Sequence, residues 1–222
     1  MTDLVDRLLA LEVSAVCDAD KDLPVVDPSI RAIVPDVRMA GPAFTVLAPD
    51  DHLPTFSALA QAQPGDVLVI ATNGGSRAVL GELFATEARR RGLAGVVIDG
   101  LCRDVAGLRR NGLPVFARGT IPRSGGTAAR PPLNEPVRCG GVDVAPGDIV
   151  FGDDDGVAIA PAERFRAALE LAEHIGRAEG AMLEAMRHED EALHDLTNWR
   201  EHVAALDRGE ESSLRFEVDV DG

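Results

Sequence analysis

Gly95-Val96-Val97-Ile98-Asp99-Gly100-Leu101-Cys102-Arg103-Asp104 is the stretch that decides the fold. An apolar run ends in Asp-Gly, and Arg103-Asp104 follows within one turn of chain. The pattern predicts a buried strand over Gly95 to Ile98, a tight turn at Asp99-Gly100 and a helix opening at Arg103. In open α/β sheets, chemistry collects at the carboxyl ends of strands. On this reading the turn brings one cation and two carboxylates to a single crevice. Unpaired buried charge costs several kcal/mol, roughly, so stability alone does not account for such a cluster. Arg103 reads as an anion holder and Asp104 as a metal ligand.

The flanking sequence repeats the rhythm. Val67 to Ala71 is a continuous apolar strand, and Thr72 to Ser76 a loop. Val79 to Arg91 reads as a helix ended by Gly92, its arginines complementing the C-terminal dipole. Arg103 to Arg110 is a short helix closed by Asn111-Gly112, and Pro114 to Ala117 a third strand. Strand-helix-strand-helix-strand with short links predicts an α/β fold with a parallel βαβαβ segment. Upstream, Asp3 to Asp18 is an amphipathic helix, Met39 to Leu47 a strand and His52 to Ala62 a helix after the turn Asp50-Asp51-His52. Downstream, Pro136 to Ala160 reads as a β meander, and Pro161 to Leu206 is helical in pattern. The domain reading is therefore a core over residues 1–160. A C-terminal helical extension over 161–222 packs on that core or on a neighbouring subunit.

Composition narrows the function. A formal net charge of −15 argues against a nucleic-acid partner. An anionic substrate would need a local cationic pocket. Aromatic content of 4% leaves no base-stacking platform. No segment approaches the roughly 18 apolar residues of a membrane span. The acidic start is not a signal peptide, and three scattered cysteines suggest no disulfide framework, so a cytoplasmic protein is expected.

Glu82 is the second carboxylate. It lies in the first turn of the helix after Val67 to Ala71, as Asp104 does in the next. Adjacent parallel strands would bring both over one sheet edge. Backbone N–H groups around Gly81 and Leu83 point to the same place and suit a carboxylate ligand. Hard oxygen ligands favour Mg²⁺ or Mn²⁺ over Zn²⁺, and Cys102 is a lone thiol. Asp153-Asp154-Asp155-Gly156 is read as an acidic hairpin turn, and His174, His188, His194 and His202 as positions on a solvated helix. Arg77 and Arg123 read mainly as surface arginines.

Gly65 to Ile70, Gly81 to Thr86 and Gly92 to Asp104 together resemble the RraA-like family. That family includes the regulator of ribonuclease E activity A and the 4-hydroxy-4-methyl-2-oxoglutarate aldolases. Similarity extends from about Asp18 through Ala160 and includes Gly41-Pro42-Ala43, Pro114 to Gly119 and Pro146-Gly147-Asp148. The resemblance implies a compact swivelling β/β/α core assembled as homotrimers or hexamers. It implies a metal-dependent (class II) pyruvate aldolase that also decarboxylates oxaloacetate, with a small 2-oxo acid as substrate. In the family's motif an acidic residue precedes Arg-Asp with twenty residues between, as Glu82 precedes Arg103 here. The aldolases carry Asp where Glu82 stands. By the same resemblance Arg103 binds substrate and stabilises an enolate, Asp104 ligates the metal, Gly81 to Leu83 hold the pyruvyl carboxylate and Glu82 assists catalysis. The general base is read as a metal-bound or ordered water with Glu82 as its partner, and its identity stays open. The alternative is a non-catalytic regulator that binds a ribonuclease or helicase surface.

Overall fold

The computed structural model describes residues 2–189 and 191–218. It divides into two compact units, residues 1–169 and 170–222. The first opens with α1 (Thr2–Leu9) and α2 (Val13–Ala19), then β1 (Arg31–Ala32) and β2 (Met39–Leu47). It continues through α3 (Leu53–Leu59), β3 (Val67–Ala71), β4 (Ala78–Leu80), α4 (Glu82–Arg90), β5 (Gly95–Cys102), α5 (Val105–Asn111) and β6 (Val115–Thr120). The strands β7 (Val137–Cys139), β8 (Val142–Val144), β9 (Ile149–Asp153) and β10 (Gly156–Ala160) follow.

The main sheet runs β1-β6-β5-β3-β2-β9-β10, with β4 laid against the end of β5. Pairings β2–β3, β3–β5, β4–β5 and β5–β6 are parallel, and β1–β6, β2–β9 and β9–β10 antiparallel. The mixed α/β architecture and its parallel segment are those expected. Strand side chains alternate between faces. Leu68, Ile70, Val96 and Ile98 enter the cluster that includes Ala58 and Leu59 of α3, Ala85 and Ala88 of α4 and Leu108 of α5. Val67, Val69 and Val97 enter the opposite cluster with Phe116, Val150, Ile159, Cys139 and Val144. A strand buried on both faces is apolar at every position.

Four local expectations are corrected. Asp99-Gly100 is not a turn, because β5 continues through it to Cys102. Between Ile98/Ala117 and Leu101/Gly119, β5 spends three steps where β6 spends two, so the pair forms a bulge. Thr72 donates its hydroxyl to the Asp99 carbonyl at 2.7 Å and packs against Gly100. The N-terminal helix is two helices, because the Asp153 carboxylate accepts the Val13 N–H at 2.8 Å and a new helix starts there. Residues Ala78 to Leu80 form a strand, not the first turn of a helix, so α4 begins at Glu82 with Gly81 as its cap. The segment 136–160 is not one meander. β7 and β8 form a separate two-stranded sheet, while β9 and β10 join the main sheet through β2.

At the end of the first unit, Phe165 packs edge-on against Phe151, and Arg164 pairs with Asp20 at 2.6 Å. These belong to α6 (Ala162–Glu184), which is continuous through Gly176 and Gly180 and whose later residues count with the second unit. There a π-helical turn, Ala185–Glu189, precedes α7 (Trp199–Asp207). The buried Asn198 caps that unit's fold by donating to the Ser213 carbonyl at 3.0 Å and accepting the Arg215 N–H at 2.7 Å. No helix among the described residues is long and apolar enough to cross a membrane.

Candidate active site

The ends of β4 and β5 and the starts of α4 and α5 enclose a cleft of about 170 Å³. Arg103 and Asp104 line it from the β5–α5 junction, and Leu80, Gly81 and Leu83 from the β4–α4 junction. His52, Phe84 and Ser124 complete the wall. Arg103 is anchored by its backbone, whose N–H donates to the Leu80 carbonyl at 3.0 Å. Asp104 adopts φ 61° and ψ 40° as the residue capping α5. That left-handed conformation is uncommon outside Gly, and Asp tolerates it better than most residues. It places Oδ2 of Asp104 3.5 Å from Nε of Arg103 and in reach of the Glu82 N–H at 3.2 Å.

Gly81 makes this convergence fit. A Cβ there would lie 2.5 Å from Oδ2 of Asp104 and 3.0 Å from Cγ of Arg103. The glycine is required by close approach, since its own φ of −150° is ordinary extended backbone.

The other candidates fall differently. The Glu82 backbone reaches Asp104, but its carboxylate turns to α5. There Oε1 accepts from Nη2 of Arg110 at 3.2 Å, and the side chain packs over Gly107. The Glu82 N–H is therefore committed to Asp104. The Leu83 N–H, by contrast, has no protein acceptor among the described residues. The Asp99 carboxylate is outside the cleft, paired with Arg118 and accepting the Gly140 N–H at 2.7 Å. One carboxylate, not two, therefore joins the cation in the cleft. Arg77 donates to the Ser124 carbonyl at 3.3 Å, so it braces the wall and does not line it.

Burial pushes the Cys102 thiol up to about 11, which leaves it protonated at neutral pH and a poor metal ligand. The Asp153-Asp154-Asp155 turn is the β9–β10 hairpin. Asp153 accepts from Val13 and Asp155, and Asp154 from Asp36. Among the described residues no three His, Cys, Asp or Glu side chains are grouped to hold a metal. The donor set in the cleft is one hard carboxylate. That fits Mg²⁺ or Mn²⁺, which keep several waters and take one or two protein carboxylates, better than a metal needing a full protein cage.

Two wall residues escaped the sequence reading. His52 stands one residue before α3, where its sequence neighbours suggest only a turn. Ser124 belongs to a loop whose neighbours are stitched to β4, with Ala78 donating to the Arg123 carbonyl at 2.9 Å and Gly125 to that of Ala78 at 3.0 Å. Asp51 pins the far side of that loop by accepting from Leu53, Ala128 and Ala129. Burial alone would raise the Asp51 carboxyl, but those three N–H groups prevail and hold it below the usual carboxylate range.

Residues 13–159 match the sequence pattern of the RraA-like family, described as Aldolase/RraA. The chain belongs to the RraA-like family. A Halalkalibacterium halodurans relative, provisionally named 4-hydroxy-4-methyl-2-oxoglutarate aldolase, is 34% identical over 161 residues, 72% of this chain and 77% of the relative. An uncharacterised Pseudomonas syringae pv. tomato protein superposes with TM-score 0.78 at 25% identity, covering 88% of this RraA-like chain and 92% of that one. Streptomyces coelicolor RraAS2, described as an unusual member of the RNase ES inhibitor RraA family, superposes with TM-score 0.72 at 29% identity, covering 84% and 98%. The residues that line the cleft, from His52 to Ser124, lie wholly within the matched residues.

Proposed function

We propose that this RraA-like protein is a divalent-metal-dependent pyruvate aldolase that cleaves a 4-hydroxy-2-oxo acid and also decarboxylates oxaloacetate. The observation that carries the reading is the meeting of Arg103, Asp104 and the start of α4 in one cleft around a glycine that admits no side chain. The provisional aldolase name of the 34% identical relative supports it.

Asp104 would hold Mg²⁺ or Mn²⁺, which when bound supplies Lewis-acid polarisation of a 2-oxo acid. The Leu83 N–H at the α4 N-terminus is placed to receive the substrate carboxylate, favoured by the helix dipole. Arg103 holds the positive charge that stabilises the developing pyruvate enolate. Its guanidinium has only donors, so it stabilises this charge without competing for the proton. Glu82 acts through position. Its backbone fixes Asp104 and its carboxylate ties α4 to Arg110 of α5. Each of these roles is set by the β4–α4 and β5–α5 junctions. By its family resemblance the protein works as a homotrimer or hexamer.

Pyruvate release from 4-hydroxy-4-methyl-2-oxoglutarate and from oxaloacetate, coupled to a reporter dehydrogenase, tests the reading. Release with Mg²⁺ that stops with EDTA is expected, and silence on both substrates overturns it. A second reading, as a protein-binding regulator of a ribonuclease, is favoured by the likeness to the RNase ES inhibitor family member. Binding to a ribonuclease that survives EDTA and Asp104→Ala, with no pyruvate formed, would select it.

A further inference from the structure

Cleavage of a 4-hydroxy-2-oxo acid needs a group that removes the hydroxyl proton, and neither Arg103 nor Asp104 is free for it. Arg103 has no acceptor atom. Asp104 is engaged by the Glu82 N–H and lies beside Arg103. Of the other polar side chains lining the cleft, Ser124 offers a hydroxyl, a poor base near neutral pH, and His52 an imidazole. We propose that His52 is the general base that accepts the C4-hydroxyl proton. On this assignment the cleft is built for aldols, that is 2-oxo acids with a 4-hydroxyl, and not for decarboxylation alone. The inference rests on the reading of the cleft as a pyruvate-forming site.

His52 is held but not used. Its N–H donates to the Gly126 carbonyl at 3.0 Å, which fixes the backbone between α3 and the 124–126 loop. Its ring meets Phe84 edge-on, with centroids 5.6 Å apart and planes at 63°. Phe84 is on α4, the helix whose start forms the proposed carboxylate-binding end of the cleft, so one packing contact ties the ring to that helix. Among the described residues neither ring nitrogen has a hydrogen-bond partner. A base must keep a ring nitrogen for substrate, and His52 meets that condition. The neighbouring carboxylates do not compete for the ring. Asp51 is spent on Leu53, Ala128 and Ala129, and Asp50 on the N–H groups of Ser76 and Arg77.

The step balances. An unprotonated ring nitrogen of His52 takes the O–H proton, and the O–H electron pair becomes the second bond of the new C4 carbonyl. The C3–C4 pair moves into the C2–C3 bond and the C2–O π pair moves onto oxygen, giving the enolate whose oxygen Arg103 stabilises. Return of a proton to C3 gives pyruvate, and the C4 fragment leaves as an oxo acid. Oxaloacetate loses its C4 carboxylate as CO₂ to the same enolate, with no hydroxyl proton to remove.

That difference supplies the test. His52→Gln and His52→Phe are assayed with both substrates and Mg²⁺ beside the wild type. The expected result is a loss of about 10²-fold or more in kcat for 4-hydroxy-4-methyl-2-oxoglutarate cleavage, the usual worth of a general base. Decarboxylation of oxaloacetate should stay within about threefold of wild type, which also shows that each variant is folded and its enolate site intact. Equal losses on both substrates, retained cleavage, or a change confined to KM would overturn the assignment. Wild-type silence on both substrates would instead overturn the reading of the site, and this inference with it.

Discussion

Asp104 stands at φ 61° with its carboxylate against Arg103 and the Glu82 N–H, and both features predict how substitutions behave. Asp104→Asn keeps a residue that tolerates the left-handed region and should fold with little change in Tm while losing pyruvate formation. Asp104→Ala adds the left-handed penalty, about 1–2 kcal/mol, and Asp104→Gly should recover most of it. Equal melting temperatures for the Ala and Gly variants would show that the backbone there is unstrained. Gly81→Ala is expected to retain the fold and lose at least tenfold in kcat/KM, because its Cβ would displace the Asp104 carboxylate and the Arg103 stem. Native protein should resist thiol reagents at Cys102 near neutral pH, since burial holds the thiol up to about 11, and mass spectrometry after alkylation reads this directly. At this scale the sequence was partly legible. Arg103, Asp104 and Gly81 follow from an apolar strand meeting a charged pair and from a glycine before an acidic helix start. That the Asp99 carboxylate goes to Arg118 and Gly140, and that His52 reaches the cleft wall, depends on contacts many residues apart along the chain.

The elements that were easiest to read are those buried on both faces. β3 and the first half of β5, Gly95 to Ile98, are continuous apolar runs, and α5 ends at Gly112 in the left-handed conformation that Asn-Gly announces. The elements that were misread owe their form to distant partners. Ala78 to Leu80 has only three residues and is a strand because β5 and the 123–125 loop supply its hydrogen bonds. The break between α1 and α2 is capped by Asp153, 140 residues away. Asp51 does the same for the loop that carries Ser124. Asp51→Asn removes one charge-assisted acceptor set and should cost about 1–3 kcal/mol. Its carboxyl is depressed by the fold, so its contribution is present above the unfolded value of about 4 and is lost as pH falls through the lower folded value. The stability gap between wild type and Asp51→Asn, measured by denaturant titration, should therefore narrow below about pH 4. A gap that widens on acidification would contradict the hydrogen-bonded arrangement.

The whole molecule is a family fold with a charge problem. A chain of net charge −15 presents an anionic substrate with an unfavourable field, and in the cleft Arg103 locally opposes it. Raising ionic strength should then lower the KM for oxaloacetate modestly by screening the general repulsion, and a steep rise in KM would show a substrate drawn in by long-range attraction instead. Light scattering should give three or six times the 23.4 kDa chain mass, as the family resemblance implies, and a monomer at assay concentration would remove that expectation. The family was legible because its motif residues fall in the β3 to β6 segment, where buried strands constrain sequence most. The extension after Ala160 was legible only as helical. The central claim is that Arg103, set beside Asp104 in the cleft, stabilises a pyruvate enolate, and the most direct measurement is metal-dependent pyruvate release by Arg103→Ala beside the wild type. Wild-type turnover of at least one of the two substrates is expected, with a loss of orders of magnitude in a variant of unchanged Tm. Near-normal turnover in a folded Arg103→Ala would contradict it.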